Sequence, residues 1–106
     1  MIGADLTGLD LSGFDLTGAN LTRVDLSGAD LFQADLTEAN LTETILTWSN
    51  MTEANVGGAN LTGASLTGAN LTGANLTEAD LKDAILTGAK LTDVIGADLT
   101  GALTDS

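Results

Sequence analysis

The chain contains no cysteine, histidine, tyrosine or proline, and only three cationic side chains, Arg23, Lys82 and Lys90. Without cysteine there is no disulfide framework and no thiolate metal site. Without histidine the commonest general base and the commonest metal ligand are both missing. Fifteen acidic residues against three cations leave a formal net charge of −12. Such a surface repels nucleic acid and anionic membrane, because both bind Lys/Arg-rich faces. The expected partners are basic proteins or cations, with no direct nucleic-acid binding and no membrane association. No basic segment leads into an apolar stretch before the repeat begins, and no apolar run reaches the length of a membrane span. A cytoplasmic location is therefore the default expectation. At 106 residues the chain reads as a single domain, 1–106, long enough to bury a core without staples.

What is present is a strict period of five. From Leu6 to Leu91 every fifth residue is a centre, and 16 of the 18 are Leu, with Met51 and Val56 the exceptions. Two residues before each centre, 13 of 18 are Ala; one before, 14 of 18 are Asp or Asn; one after, 15 of 18 are Thr or Ser. The position two after is Gly in half the repeats and mostly charged in the rest. So tight a register excludes low-complexity drift.

A period of five fits neither regular element. On a helix the leucines advance by roughly 500° and spiral round the rod. On a straight strand an odd period throws successive leucines to opposite faces. Either way half of them stay wet, which forfeits roughly 1.5–3 kcal/mol each. The conflict disappears if the chain turns a corner once per repeat, always in the same sense. Leu and Ala then line the inside of a coil, and coils stack through parallel backbone bonds at about 4.8 Å. The corners suit the residues. Thr62-Gly63 and Thr72-Gly73 supply the positive φ of a type II turn, whereas Thr37-Glu38 and Thr77-Glu78 fit a type I turn better, so mixed corners are expected. Right-handedness follows from the crossover preference of parallel strands. Periodicity leaves the number of sides per coil open; Ile45 and Ile85, two 20-residue turns apart, are only a weak echo of a square.

The phrase Ala69-Asn70-Leu71-Thr72-Gly73 resembles the signature of the pentapeptide-repeat family, and the resemblance covers residues 4–93. It implies an all-β, right-handed quadrilateral parallel β-helix with four repeats per coil and about five coils. It also implies a bacterial, even cyanobacterial, setting. The register fails after Leu91: Val94-Ile95-Gly96 interrupts it, and Ala97-Asp98-Leu99-Thr100-Gly101 resumes in a shifted frame. The expectation is a bulge or short loop at 94–96 followed by a partial coil over 97–106, with Ala102-Leu103 covering the C-terminal end of the core. At the other end Leu9 and Phe14 take positions usually given to Ala and are expected to plug the first coil. Solenoids need polar caps, and the N-terminal end has almost none. An end-to-end homodimer through the N-terminal coil, or a further domain upstream, would supply one.

Two groups of outward residues stand out. Stacking by 20 makes Asp5, Asp10, Asp15, Asp25, Asp30 and Asp35 an acidic belt round the first two coils, replaced further along by Asn and other residues. Relatives in the family include quinolone-resistance proteins that mimic DNA and bind DNA gyrase, which makes a gyrase-directed mimic the alternative function. A mimic needs charge along its axis, about one per 1.7 Å, and a belt supplies that poorly. Stacked carboxylates could share a cation, but Ca²⁺ wants six to eight oxygens and no loop supplies them; a solvated polar face explains them more simply. The second group is apolar. Phe32 and Trp48 sit at corners on opposite margins of one face, and Ile45 and Ile85 replace outward Asp or Asn. Aromatic anchors are what protein interfaces use, although scattered surface hydrophobes are also ordinary. Threonine ranks such as Thr47, Thr67 and Thr87 resemble those of ice-binding β-helices, yet they run singly along corners and read as turn chemistry. With no cofactor motif and no loop long enough to build a pocket, the expectation is a non-catalytic rod that presents a rigid acidic surface to a protein partner.

Overall fold

The computed structural model describes residues 1–105. Its repeating unit is a side of three extended residues followed by a two-residue corner, and from Asp5 to Lys90 each side contributes one bridging residue, the residue just before the centre. Parallel bridges join positions 20 apart, from Asp5↔Asp25 to Asn75↔Ile95. Four repeats therefore close one coil. The molecule measures 31 × 22 × 21 Å, a short rod of nearly square section.

The same three bonds recur between stacked sides. The Leu46 N–H donates to the Ser65 carbonyl (2.7 Å), the Ser65 N–H donates to the Thr44 carbonyl (3.0 Å), and the Trp48 N–H donates to the Thr67 carbonyl (2.9 Å). Each corner is closed by its own bond, as from the Ser49 N–H to the Leu46 carbonyl (3.1 Å). The corners are uniform, contrary to the mixture expected from composition. The second corner residue has positive φ whether it is glycine or not, and Arg23, Gln33, Glu38, Glu43, Trp48, Glu53, Glu78, Asp83 and Asp93 all lie between 56° and 61°. A type I turn has negative φ there. The ladders above and below fix every corner alike, so local preference yields at a cost of roughly 1–2 kcal/mol per residue.

Inside, the central leucines and the alanines form one continuous core, with Leu26, Leu31, Leu36, Leu41, Leu46 and Leu61 wholly excluded from solvent. Small residues two before each centre let opposite walls of the tube approach. Two of those positions are polar. Thr44 satisfies its hydroxyl on the Leu21 carbonyl (2.8 Å), while the buried Ser49 hydroxyl has no partner. Replacing Ser49 with Ala, the residue the tube takes at most such positions, is expected to stabilise the protein by about 1–3 kcal/mol. Chemical denaturation measures it; a loss of stability would show that the hydroxyl is satisfied.

The two ends differ from expectation. Bridge spacing falls from 20 to 18 at Ile85↔Leu103, so the interruption at 94–96 shortens a coil rather than adding a bulge. Gly96 makes the short cut possible: φ is +66°, and a Cβ there would lie 2.5 Å from Thr77 Oγ1 and 3.1 Å from Thr77 Cα. Leu103 consequently does not cover the core. It stands outward beside Ile85, 60 % exposed, and the partly buried Ala97, Leu99 and Ala102 close that end. The Asp105 carboxylate caps it by accepting from the Gly88 N–H (3.0 and 3.1 Å). At the N-terminal end Leu9 and Phe14 are about half exposed, and Leu6, Leu11 and Leu16 are only partly buried. They leave the first coil open rather than plugged.

Candidate functional site

The outward residue in the middle of each side and the first corner residue act as a pair. The Asp5 carboxylate accepts from both the Thr7 N–H (3.1 Å) and the Thr7 hydroxyl (2.6 Å); Asp10 with Ser12 and Asp25 with Ser27 do likewise. An amide oxygen serves equally, as Asn40 with Thr42 and Asn70 with Thr72 demonstrate. This is an Asx turn repeated along the rod. It explains why Asp/Asn and Thr/Ser sit two apart, a coupling that positional counts alone did not reveal. Where the corner residue lacks a hydroxyl, as at Phe32 and Lys82, the backbone bond alone remains.

The acidic belt therefore begins as a structural device. Hydroxyl and then backbone bonds from Thr7, Ser12, Thr17 and Thr37 hold Asp5, Asp10, Asp15 and Asp35 below their ordinary 3.8, and Thr100 does the same for Asp98. Folded values below the unfolded one mean that the stabilisation is complete above 3.8 and is lost as pH falls through the depressed values. Melting temperature is expected to be flat down to about pH 4 and to fall below it. Changing Asp5, Asp10, Asp15 and Asp35 to Asn should flatten that fall, because an amide oxygen accepts the same bonds without titrating. An equally steep fall in the Asn variant would assign the effect elsewhere. Among the described residues no group of three acidic side chains is arranged to hold a metal ion.

The belt and the apolar residues meet on one face. Its middle column runs Asp5, Asp25, Ile45, Ser65, Ile85 and then Leu103, each bridged to the next. The face is acidic toward the N-terminal end and apolar toward the other, with Ile45 and Ile85 more than a third exposed. Ser65 interrupts the stripe, and its hydroxyl bonds that of Thr47 (3.1 Å), which has no Asx partner because Ile45 offers none. Trp48 lies on one corner of this face, 72 % exposed, with its ring against Gly68: a Cβ added there would be 2.5 Å from the ring. Gly88 follows in the same corner column. The opposite corner carries Arg23, Glu43 and Asp83, with Arg23 and Glu43 forming an exposed pair at 3.7 Å, a contact of small energetic weight.

Of the four apolar candidates, Ile45 and Ile85 share one face, and Trp48 stands at the corner between that face and the next. Phe32 stands at the far corner of that next face, so the two aromatics bound one face, as their spacing suggested, while the isoleucines lie on its neighbour. Leu103 was missed because its outward position depends on the 18-residue last coil, which no count of fives reveals. Gly68 was also missed. The signal was available in the sequence, since the large corner residues Glu38, Glu43, Trp48 and Glu53 are each followed 20 residues later by the glycine they lean on.

The surface of the described residues includes two shallow depressions. One, of about 360 Å³, is lined by Asp80, Lys82, Asp98 and Thr100 beside the shortened coil. The other, of about 440 Å³, lies where Gly57 and Gly58 leave space between Glu38, Asn55, Asn75 and Glu78. In the first, the Thr100 hydroxyl donates to the Asp98 carboxylate (2.6 Å), the same corner pairing found along the rod. No helix of the described residues is long and apolar enough to cross a membrane.

Two solved structures share the geometry closely, and a third is more distant. A pentapeptide repeat protein of Nostoc is 33% identical, with a TM-score of 0.86, over 95% of this chain and 84% of its own. One from the thylakoid lumen of Arabidopsis thaliana is 35% identical, with a TM-score of 0.72, over 92% of this chain and 72% of its own. QnrB1, a plasmid-mediated fluoroquinolone resistance protein, is 24% identical with a TM-score of 0.47, over 98% of this chain and 62% of its own. Among curated proteins no sequence relative is found. The family model for pentapeptide repeats matches in eight copies, over residues 1–37, 19–58, 29–68 and 57–93. The bridges at 20-residue spacing, the leucine-lined tube, the family model and the Nostoc and Arabidopsis structures together make the chain a member of the pentapeptide-repeat family, with its right-handed β-helix fold.

Proposed function

We propose that this protein is a non-catalytic interaction rod that docks a protein partner on the face bearing Ile45, Ser65, Ile85 and Leu103. The single observation that carries this reading is the composition of that column. Positions that elsewhere hold the Asx-turn residue give up its bonds here to Ile, Ile and Leu, in register on one face, with an exposed Trp at the margin. Giving up a local bond in order to expose an apolar side chain makes sense where something covers it. Glu43 and Asp83 on the other margin, within a chain of net charge −12, favour a partner that is apolar at its centre and basic at its rim.

The test uses replacements that the repeat itself tolerates. Ile45→Asn with Ile85→Asn restores the usual Asx residue, Trp48→Gly restores the usual corner, and Phe32→Thr on the neighbouring face is the control. A partner captured by wild type, identified and purified, should lose affinity at least tenfold toward the Ile45/Ile85/Trp48 variant in calorimetry and keep it toward the Phe32 variant. Equal affinity for both variants would retire this face. The competing reading, a DNA mimic directed at gyrase, draws on the family resemblance and the net charge of −12. Its weakness is that the carboxylate columns turn to Asn50, Asn55 and Ile45 in the third coil, so charge does not run down the axis as phosphates do. Unchanged supercoiling by purified gyrase at micromolar protein would remove it.

A further inference from the structure

We infer that the N-terminal end of the rod is a self-complementary edge that pairs head to head with a second copy of this chain once its carboxylates are screened or neutralised. The inference starts from the backbone. In every inner coil the middle residue of each side points both its N–H and its C=O toward the N-terminal end. Asp25, for example, donates to the Ala4 carbonyl (2.9 Å) and accepts from the Leu6 N–H (2.8 Å). In the first coil the corresponding residues are Asp5, Asp10, Asp15 and Asn20, and neither their N–H nor their C=O has a backbone partner among the described residues. A residue that offers both groups to one edge is what a hydrogen-bonded antiparallel pair requires, since the two residues exchange both bonds. Two such ends meeting about a two-fold axis across the rod run antiparallel on every side. The C-terminal end lacks this simple symmetry, because its last coil is shortened and Asp105 already occupies the Gly88 N–H.

The apolar surface supports the same occupant. Met1, Ile2, Leu9 and Phe14 are 45–61 % exposed at this end, over half-covered Leu6, Leu11 and Leu16. A second copy would set leucine core against leucine core and continue the tube. The section of 22 × 21 Å lets a pair bury on the order of 900 Å², below the usual range for stable complexes. The association is accordingly weak and sensitive to charge. Charge opposes it by a countable amount. Each copy brings three Asp and one Asn to its four sides, so at least two of the four side-to-side pairs set carboxylate against carboxylate, whichever way the sides register. These side chains are the same Asx acceptors that shape the corners, so the belt both builds the first coil and guards its open edge, a recognised use of edge charges.

The experiment is sedimentation equilibrium of the 106-residue protein and of its Asp5→Asn/Asp10→Asn/Asp15→Asn variant, at low salt and at about 1 M, where the Debye length is about 3 Å. The variant keeps its corners, because Asn20 already makes the same bonds to Thr22 (3.2 and 2.6 Å). Wild type should be monomeric at low salt and dimerise as salt rises. The Asn variant should associate about tenfold more tightly at low salt. In its dimer the amides of residues 5, 10, 15 and 20 should become protected from hydrogen exchange. Adding Leu9→Asp and Phe14→Asp, both at exposed positions, should abolish the dimer while leaving the circular dichroism and melting of the rod intact. A variant that stays monomeric at millimolar concentration and high salt overturns the inference. So does a dimer that survives the Leu9/Phe14 change, or one that leaves those four amides unprotected.

Discussion

Leu46→Ala is expected to lower the unfolding free energy by about 2–5 kcal/mol, a large part of the roughly 5–15 kcal/mol that a domain of this size has. Leu46 is fully excluded from solvent in the third coil, stacked between Leu26 and Leu66 and facing the other walls of a tube too narrow to relax into the space. The matching change at Leu6, which has a neighbour on one side only and is partly exposed, should cost about half as much. In a solenoid each coil touches only the coils beside it, so position along the axis decides the loss. Urea unfolding followed through the lone Trp48 and by circular dichroism gives both numbers. Equal costs at Leu6 and Leu46 would mean that the tube is not the unit of stability.

Gly96→Val should detach the last coil without unfolding the rest. The backbone there is left-handed at +66°, a conformation that a β-branched residue adopts only with strain. The new Cβ would also sit 3.1 Å from Thr77 Cα, a contact with main chain that no rotamer can relieve. Strain and overpacking together come to about 2–5 kcal/mol, more than a terminal coil with partly exposed Leu99 and Ala102 is expected to hold. The chain carries its own reporters, because trypsin can cut only after Arg23, Lys82 and Lys90. Cleavage after Lys90 should accelerate in the variant while cleavage after Arg23 does not. Uniform acceleration at all three sites would mean that the last coil is not a separable unit.

Much of the fold could be read before any coordinates, because the leucine and alanine positions leave one way to bury them all. The stacking of the Asp belt and the outward placement of Ile45 and Ile85 followed from counting by twenty. Three things were not legible. Corner type was misjudged at Glu38 and Glu78 because their own preferences are overridden by the ladder bonds on both sides. The exposure of Leu9 and Phe14 was missed because a residue at an inward position is buried only if another coil lies over it. The membership of Leu103 in the apolar column was hidden by the two-residue deletion that Gly96 permits.

By itself, then, the sequence determined the tube: a period of five with apolar centres can satisfy burial only by turning one corner per repeat. The tertiary structure alone decided which outward residues share a surface and which backbone groups remain without partners at the ends. The physical reason is one of range. Burial periodicity is written into every repeat, whereas stacking depends on hydrogen bonds between residues 18 or 20 apart, and a single glycine that allows a short cut realigns everything after it.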